Sequence, residues 1–185
     1  MSNTVKRYDK KSVLPAKIAT EIVRIFEQNY PTSHATQGRE TDIEARNSHS
    51  ALNLLLKKGS VIFTVQDASK NVLGLIEMHE ADKGEQGVQM QLVWIIVDAA
   101  ARDQGVASQL HDAFKAESQK RADRSSKPSY LSLAVHKKNS NAIRVYERWG
   151  YTKGKTIQSG KMLMFRDLGC VMFSYCVNGF GIKKA

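Results

Sequence analysis

The spacing of apolar residues changes period repeatedly along this chain, and that alternation narrows the folds open to it more than any other feature. From Ser12, the residues Val13, Ile18, Ile22, Val23, Ile25 and Phe26 recur at helical spacing, with Pro15 in the first turn and Pro31 just past the end. Thr32–Arg39 is polar and reads as a loop, and a second helix is expected over Thr41–Lys58, stopped by Gly59. The period then shortens. Ser60–Val65 and Val72–His79 are β-branched or apolar runs around the turn-forming stretch Asp67–Asn71, and a further strand is expected over Val88–Val97 after the turn at Gly84–Gly87. The last six residues of that strand are all apolar, which predicts burial on both faces. Helical spacing returns over Ala107–Arg121. Next come a strand at Tyr130–Val135, a short helix at Asn141–Trp149 closed by Gly150, and final strands near Tyr151–Gln158 and Met162–Leu168. With a short first strand at Val5–Asp9, the expected order is β α α β β β α β α β β. Helices interleaved among strands in this way imply a mixed α/β sheet covered on both faces. Many folds share such an order, so it does not by itself indicate an activity.

A chain of 185 residues with 42% hydrophobic content has enough material for one domain with a sizeable core. Residues 1–168 are read as that domain, and the apolar Gly169–Ala185 as an extension forming an added edge strand or a contact in a homodimer. The sequence has no continuous apolar run of membrane-spanning length, and its first 20 residues lack the apolar core of a secretory leader, so a cytoplasmic protein without a membrane partner is expected. Cys170 and Cys176 are the sole cysteines and lack metal-ligand spacing, so no metal is expected.

The formal charge is +10, and it is concentrated. Between Lys115 and Arg166 stand 13 Lys and Arg against Glu117, Asp123 and Glu147, so the rest of the chain is neutral overall. Such a block would concentrate an anionic ligand, or it is simply a solvated face. Nucleic acid is the weaker partner reading, because the block lacks interleaved aromatic residues and any reading motif.

Two segments carry chemistry. In the first, the strand ending at Val97 enters a helix through Asp98–Ser108, where Gly105 and Ala107 are small enough for a ligand to approach the backbone. The free N–H groups of a helix's first turn, with its dipole, favour an anion such as a diphosphate. Ordinary tight packing explains a small-residue turn equally well. In the second segment, Asn139 or Ser140 caps a helix, Ala142 and Tyr146 lie four apart on one face, and Gly150 ends it. A capped core helix with a buried tyrosine has the same pattern.

Taken together, these segments resemble the GNAT superfamily of N-acetyltransferases. Its first signature, Arg or Gln, two residues, Gly, one residue, then Gly or Ala, stands here as Arg102, Gly105 and Ala107, with Val97 five before the Arg. Its second stands as Asn139, Ala142, Tyr146, Gly150 and Tyr151. The resemblance implies a mostly antiparallel sheet of about seven strands flanked by about four helices, with acetyl-CoA as cosubstrate and an amine as acceptor. It implies that the backbone at Ile95, Ile96 and Val97 holds the pantetheine arm and the acetyl carbonyl. Arg102 and the amides of Asp103, Gln104, Gly105, Val106, Ala107 and Ser108 would grip the pyrophosphate. Asn139 would bond the pantetheine region, and Tyr146 would lie near the sulfur as general acid. The family often places its general base four or six residues ahead of the position of Val97. Val93 and Gln91 stand there and cannot accept a proton usefully. Glu77 and His79, which alternate on one strand face, are the base candidates, with Glu80 and Glu85 nearby. His34, His49 and His111 have no visible catalytic partner and are expected at the surface.

Overall fold

A computed structural model of the chain describes residues 3–29, 48–83, 87–127, 129–156 and 161–167. Seven strands form one mixed sheet: β1 (Thr4–Tyr8), β2 (Val61–Gln66), β3 (Val72–Asp82), β4 (Val88–Val97), β5 (Ser129–His136), β6 (Thr152–Thr156) and β7 (Lys161–Asp167). Their spatial order is β1-β2-β3-β4-β5-β7-β6. β1 with β2, β2 with β3, β5 with β7 and β6 with β7 pair antiparallel, and β4 with β5 pairs parallel. Among the described residues four α-helices accompany them: α1 (Ala16–Asn29), α2 (His49–Lys57), α3 (Val106–Ala122) and α4 (Ser140–Arg148). The sheet and helices match the expected fold class.

The chain divides into two compact units, Met1–His79 with Trp94–Lys115, and Glu80–Val93 with Ala116–Ala185. In the first, the apolar stripe of α1 (Ile18, Ile22, Ile25, Phe26) packs with Leu52 and Leu56 of α2, with Ile62, Val72 and Leu75, and with Ile96 of β4. Burying each such side chain favours folding by about 1.5 to 3 kcal/mol. Trp94 packs on this cluster and meets Phe26 edge-on, ring centroids 5.5 Å apart. In the second unit, Leu131, Leu133 and Met164 are almost completely buried, and β5 and β7 pair from Tyr130–Asp167 to His136–Lys161.

Several expectations need correction. The second helix begins at His49, where the Ser48 side chain accepts the Ala51 N–H and fixes the start. Residues 41–47 of the expected span lie outside the described residues, as do the loop 32–39, His34, Glu85 and the extension 169–185. The apolar end of β4 is not buried on both faces throughout: Val93, Trp94, Ile95 and Val97 are half-buried, and of the six residues only Leu92 and Ile96 are buried. One histidine is not at the surface: His111 is buried beside Phe114, whereas His49 is exposed as expected, with its ring 2.8 Å from the Leu14 carbonyl.

Candidate coenzyme-binding segments

The first signature segment is built by an abrupt change of backbone direction after β4. The Asp98 N–H donates to the Leu73 carbonyl at 2.9 Å, and its side chain accepts the Ala100 N–H, which opens a single 3-10 turn over Ala99–Ala101 that the sequence reading did not anticipate. Asp103 and Gly105 both take left-handed backbone conformations, φ 60° and 75°. Gly105 does so without strain, lacking a Cβ. Helix α3 then starts at Val106, and its first ladder bond runs from the Gln109 N–H to the Gly105 carbonyl at 3.1 Å. The N–H groups of Val106, Ala107 and Ser108 therefore have no acceptor within the helix. Arg102, Asp103, Gln104, Gly105 and Ser108 are exposed, Ala107 is half-buried and Val106 is buried, so an anion can reach this turn on the side of Gly105 and Ser108. A Cβ placed on Gly105 would meet nothing within 4 Å. The glycine thus opens space over a helix N-terminus, which fits a diphosphate.

Helix α1 holds this turn in shape, a role the sequence reading missed. Arg24 donates to Asp98 at 2.7 Å and also bonds Glu21, and Arg102 donates to the Asn29 side chain at 2.8 Å. Burial pushes the Asp98 carboxyl up, but the Ala100 N–H and the Arg24 guanidinium outweigh it and hold the group below its ordinary 3.8. The Arg102 guanidinium, one of the expected coenzyme contacts, is in this geometry engaged with α1. No local sequence signal ties Arg24 or Asn29 to residues more than seventy positions away.

The parallel ladder of β4 with β5 runs from Val88–Ser129 to Leu92–Leu133, and among the described residues no pair continues it over Val93–Val97. Backbone polar groups without a ladder need another partner, and a ligand rich in amides and carbonyls suits them.

The second signature segment is a nine-residue helix closed at both ends. The Asn139 side chain accepts the Ala142 N–H at 3.1 Å as the N-cap. At the other end the Gly150 N–H donates to the Glu147 carbonyl and the Tyr151 N–H to the Tyr146 carbonyl, with Gly150 at φ 83°. This paired closure needs a residue that tolerates the left-handed conformation. Arg166 donates to the Trp149 carbonyl, placing a cation at the helix's negative end. Asn139 is thus exposed but committed through its oxygen to the cap, leaving its N–H donors for any ligand. Tyr146 is half-buried between two aromatic neighbours, its ring centroid 5.9 Å from Trp149 and 6.1 Å from Tyr151. Burial pushes the Tyr151 phenol far above the ordinary tyrosine range, and Arg166 offsets this only in part, so Tyr151 keeps its proton.

The two base candidates differ. Glu77 is 3% exposed and its carboxylate accepts the Ser60 hydroxyl at 3.0 Å, whereas His79, two residues on, is half-buried. Glu80 forms an ion pair with Arg121. The basic block is partly neutralised in the same way, with Arg121, Lys127 and Lys153 paired to carboxylates, while Lys137, Lys138, Arg144 and Arg148 are exposed. Among the described residues no group of three or more His, Cys, Asp or Glu is placed to hold a metal ion, and no helix is long and apolar enough to cross a membrane.

Comparison with known proteins bears on both segments. No curated protein matches the sequence. The fold is shared with many solved structures. An acetyltransferase of the GNAT family from Staphylococcus aureus Mu50 is 14% identical, with a TM-score of 0.64 over 91% of this chain and all of that one. The PaiA N-acetyltransferase from Thermoplasma acidophilum, solved with coenzyme A, is 14% identical, with a TM-score of 0.63 over 90% of this chain and 99% of that one. A chain of the NatC complex bound to Gag peptide and coenzyme A is 13% identical, with a TM-score of 0.65 over 91% of this chain and all of that one. At such identities the likeness speaks for the fold alone. The family model described as Acetyltransferase (GNAT) family matches residues 19–151, a span that contains both signature segments from end to end, and on that match the chain belongs to the GNAT acetyltransferase family.

Proposed function

We propose that this chain is an N-acetyltransferase that moves an acetyl group from acetyl-CoA to a primary amine, of a small molecule or a protein, by direct attack with both substrates bound. The observation that carries this reading is the start of α3, where the exposed Gly105 leaves open space at a helix N-terminus. In the proposed complex the amides of Asp103–Ser108 hold the pyrophosphate, the backbone of Ile95–Val97 holds the pantetheine arm and acetyl carbonyl, and the Asn139 amide donates to the pantetheine region. The exposed cations of the basic block would favour the coenzyme's remaining phosphate.

The reaction forms a bond from the amine nitrogen to the acetyl carbon and breaks the bond from that carbon to sulfur. The amine must lose a proton and the departing thiolate must gain one. A lysine-like amine, with a pKa of about 10.4, is nearly all protonated at neutral pH, so a proton acceptor is required. Of the two candidates, His79 has the solvent access a base needs. Glu77, buried against Ser60, exchanges protons with solvent only through a neighbour. Tyr146 is assigned as the acid that protonates the thiolate, since a phenol carries its proton at neutral pH. Strand N–H groups near Val97 would stabilise the negative charge that develops on the acetyl oxygen.

The test is release of coenzyme thiol from acetyl-CoA across a panel of primary amines. Turnover with at least one amine is expected, and Tyr146→Phe should lower kcat by about a hundredfold or more while leaving the dissociation constant for acetyl-CoA within about twofold. Tight binding of acetyl-CoA with no thiol release from any amine would instead identify a non-catalytic acyl-CoA-binding module.

A further inference from the structure

Gly74, in β3, belongs to neither signature, yet it is the residue on which the start of α3 rests. A Cβ built there would lie 2.9 Å from the Ile96 carbonyl oxygen, 2.9 Å from Val106 Cγ1 and 3.2 Å from Leu110 Cδ1. Non-bonded heavy atoms settle at about 3.5 to 4.0 Å, so a methyl group cannot be absorbed in place. The Ile96 oxygen is backbone and cannot rotate aside. Val106 is β-branched and held to few rotamers. Val106 and Leu110 are 1% and 0% exposed, so neither side chain has an empty space to turn into. A side chain at position 74 must therefore move the end of β4, the first turn of α3, or both.

We propose that Gly74 is a positioning residue for the coenzyme: its missing side chain sets how closely the backbone at Ile96 and the first turn of α3 approach β3. The inference rests on the coenzyme reading given above. Of the three groups that a side chain at position 74 would press on, Ile96 and Val106 belong to the segments proposed to hold the coenzyme, Ile96 through its backbone and Val106 as the first residue of α3, and Leu110 lies one turn further along that helix. Hydrogen bonds from the N–H groups of a helix's first turn to an anion weaken steeply with lost distance and angle, so a shift of several tenths of an ångström suffices to loosen the grip. A glycine needed only for packing would behave differently, lowering stability and leaving the affinity of the folded protein untouched.

Acetyl-CoA titration of the wild type and Gly74→Ala, with melting temperatures measured alongside, separates these roles. Gly74→Ala should stay folded and raise the dissociation constant at least tenfold, while the KM for the amine at saturating acetyl-CoA stays within about twofold of wild type. A second variant, Gly74→Ala with Val106→Ala, removes one of the two closest contacts and should recover part of the affinity. It also serves as the test protein if Gly74→Ala alone does not fold. A folded variant with wild-type affinity for acetyl-CoA overturns the assignment. A wild type that binds no acetyl-CoA sinks the coenzyme reading itself, an outcome visible before any variant is made.

Discussion

The turn from Asp98 to Ser108 and the helix from Asn139 to Tyr151 are equally regular as sequence patterns, but they use their small and polar residues for different ends. In the turn, Gly105 creates space that the protein does not fill, and the first amides of α3 have no partner in their own helix. In the helix, nearly every patterned position is consumed locally. Asn139 and the Ala142 N–H form one cap, Gly150 and Tyr151 form the other, and only Tyr146 is left with a half-exposed side chain that neither cap requires. Small and polar residues at motif spacing can thus leave space open in one segment and close a helix's own ends in the other, and spacing alone does not separate the two.

The largest effect that would break this contrast is expected at the turn. Gly105→Glu places a negative side chain in the open space and should raise the dissociation constant for acetyl-CoA more than a hundredfold, about 2.8 kcal/mol. The left-handed backbone adds a stability cost of about 1 kcal/mol for a non-glycine residue. Titration together with circular dichroism checks both, and a folded variant that still binds normally would place the anion elsewhere.

The helix should show the reverse. Gly150→Ala and Asn139→Ala are each expected to cost about 1 kcal/mol of stability, read as a melting point lower by about 2 to 4 °C. Gly150→Ala should leave acetyl-CoA affinity unchanged. If Asn139→Ala weakens binding as well, its amide N–H groups serve the ligand in addition to the cap, and the contrast between the segments narrows.

The smallest effect concerns how the turn is held. Asp98 is kept below its ordinary 3.8, so its contribution to stability is complete above that value and is lost as pH falls through the lower folded value. Arg24→Gln should remove a few tenths of a kcal/mol at pH 7. The gap in melting temperature between it and wild type should close as the pH drops below about 4. A gap that persists in acid would mean that Arg24 acts through packing instead of through its carboxylate partners.

The element order and the local geometry of both signature segments were legible in the residues because each depends on local signals: period, caps and glycines at helix ends. Burial was less legible. An unbroken apolar run such as Val93–Val97 predicts two covered faces, but coverage depends on where the neighbouring strand stops pairing, and the β4 ladder with β5 ends at Leu92–Leu133. Long-range partners were not legible at all. Nothing near Asp98 announces Arg24, nothing near Val106 announces Gly74, and the burial of Glu77 and His111 depends on neighbours distant in sequence.

The double closure of α4 also bears on how such a chain can diverge. A nine-residue helix is too short to persist alone in water, so its length and position must be specified by something other than helix propensity. Here both limits are written within the segment, by an amide at one end and a glycine at the other. A unit that carries its own punctuation needs few instructions from its surroundings, and the residues around it are free to drift so long as the core stays filled.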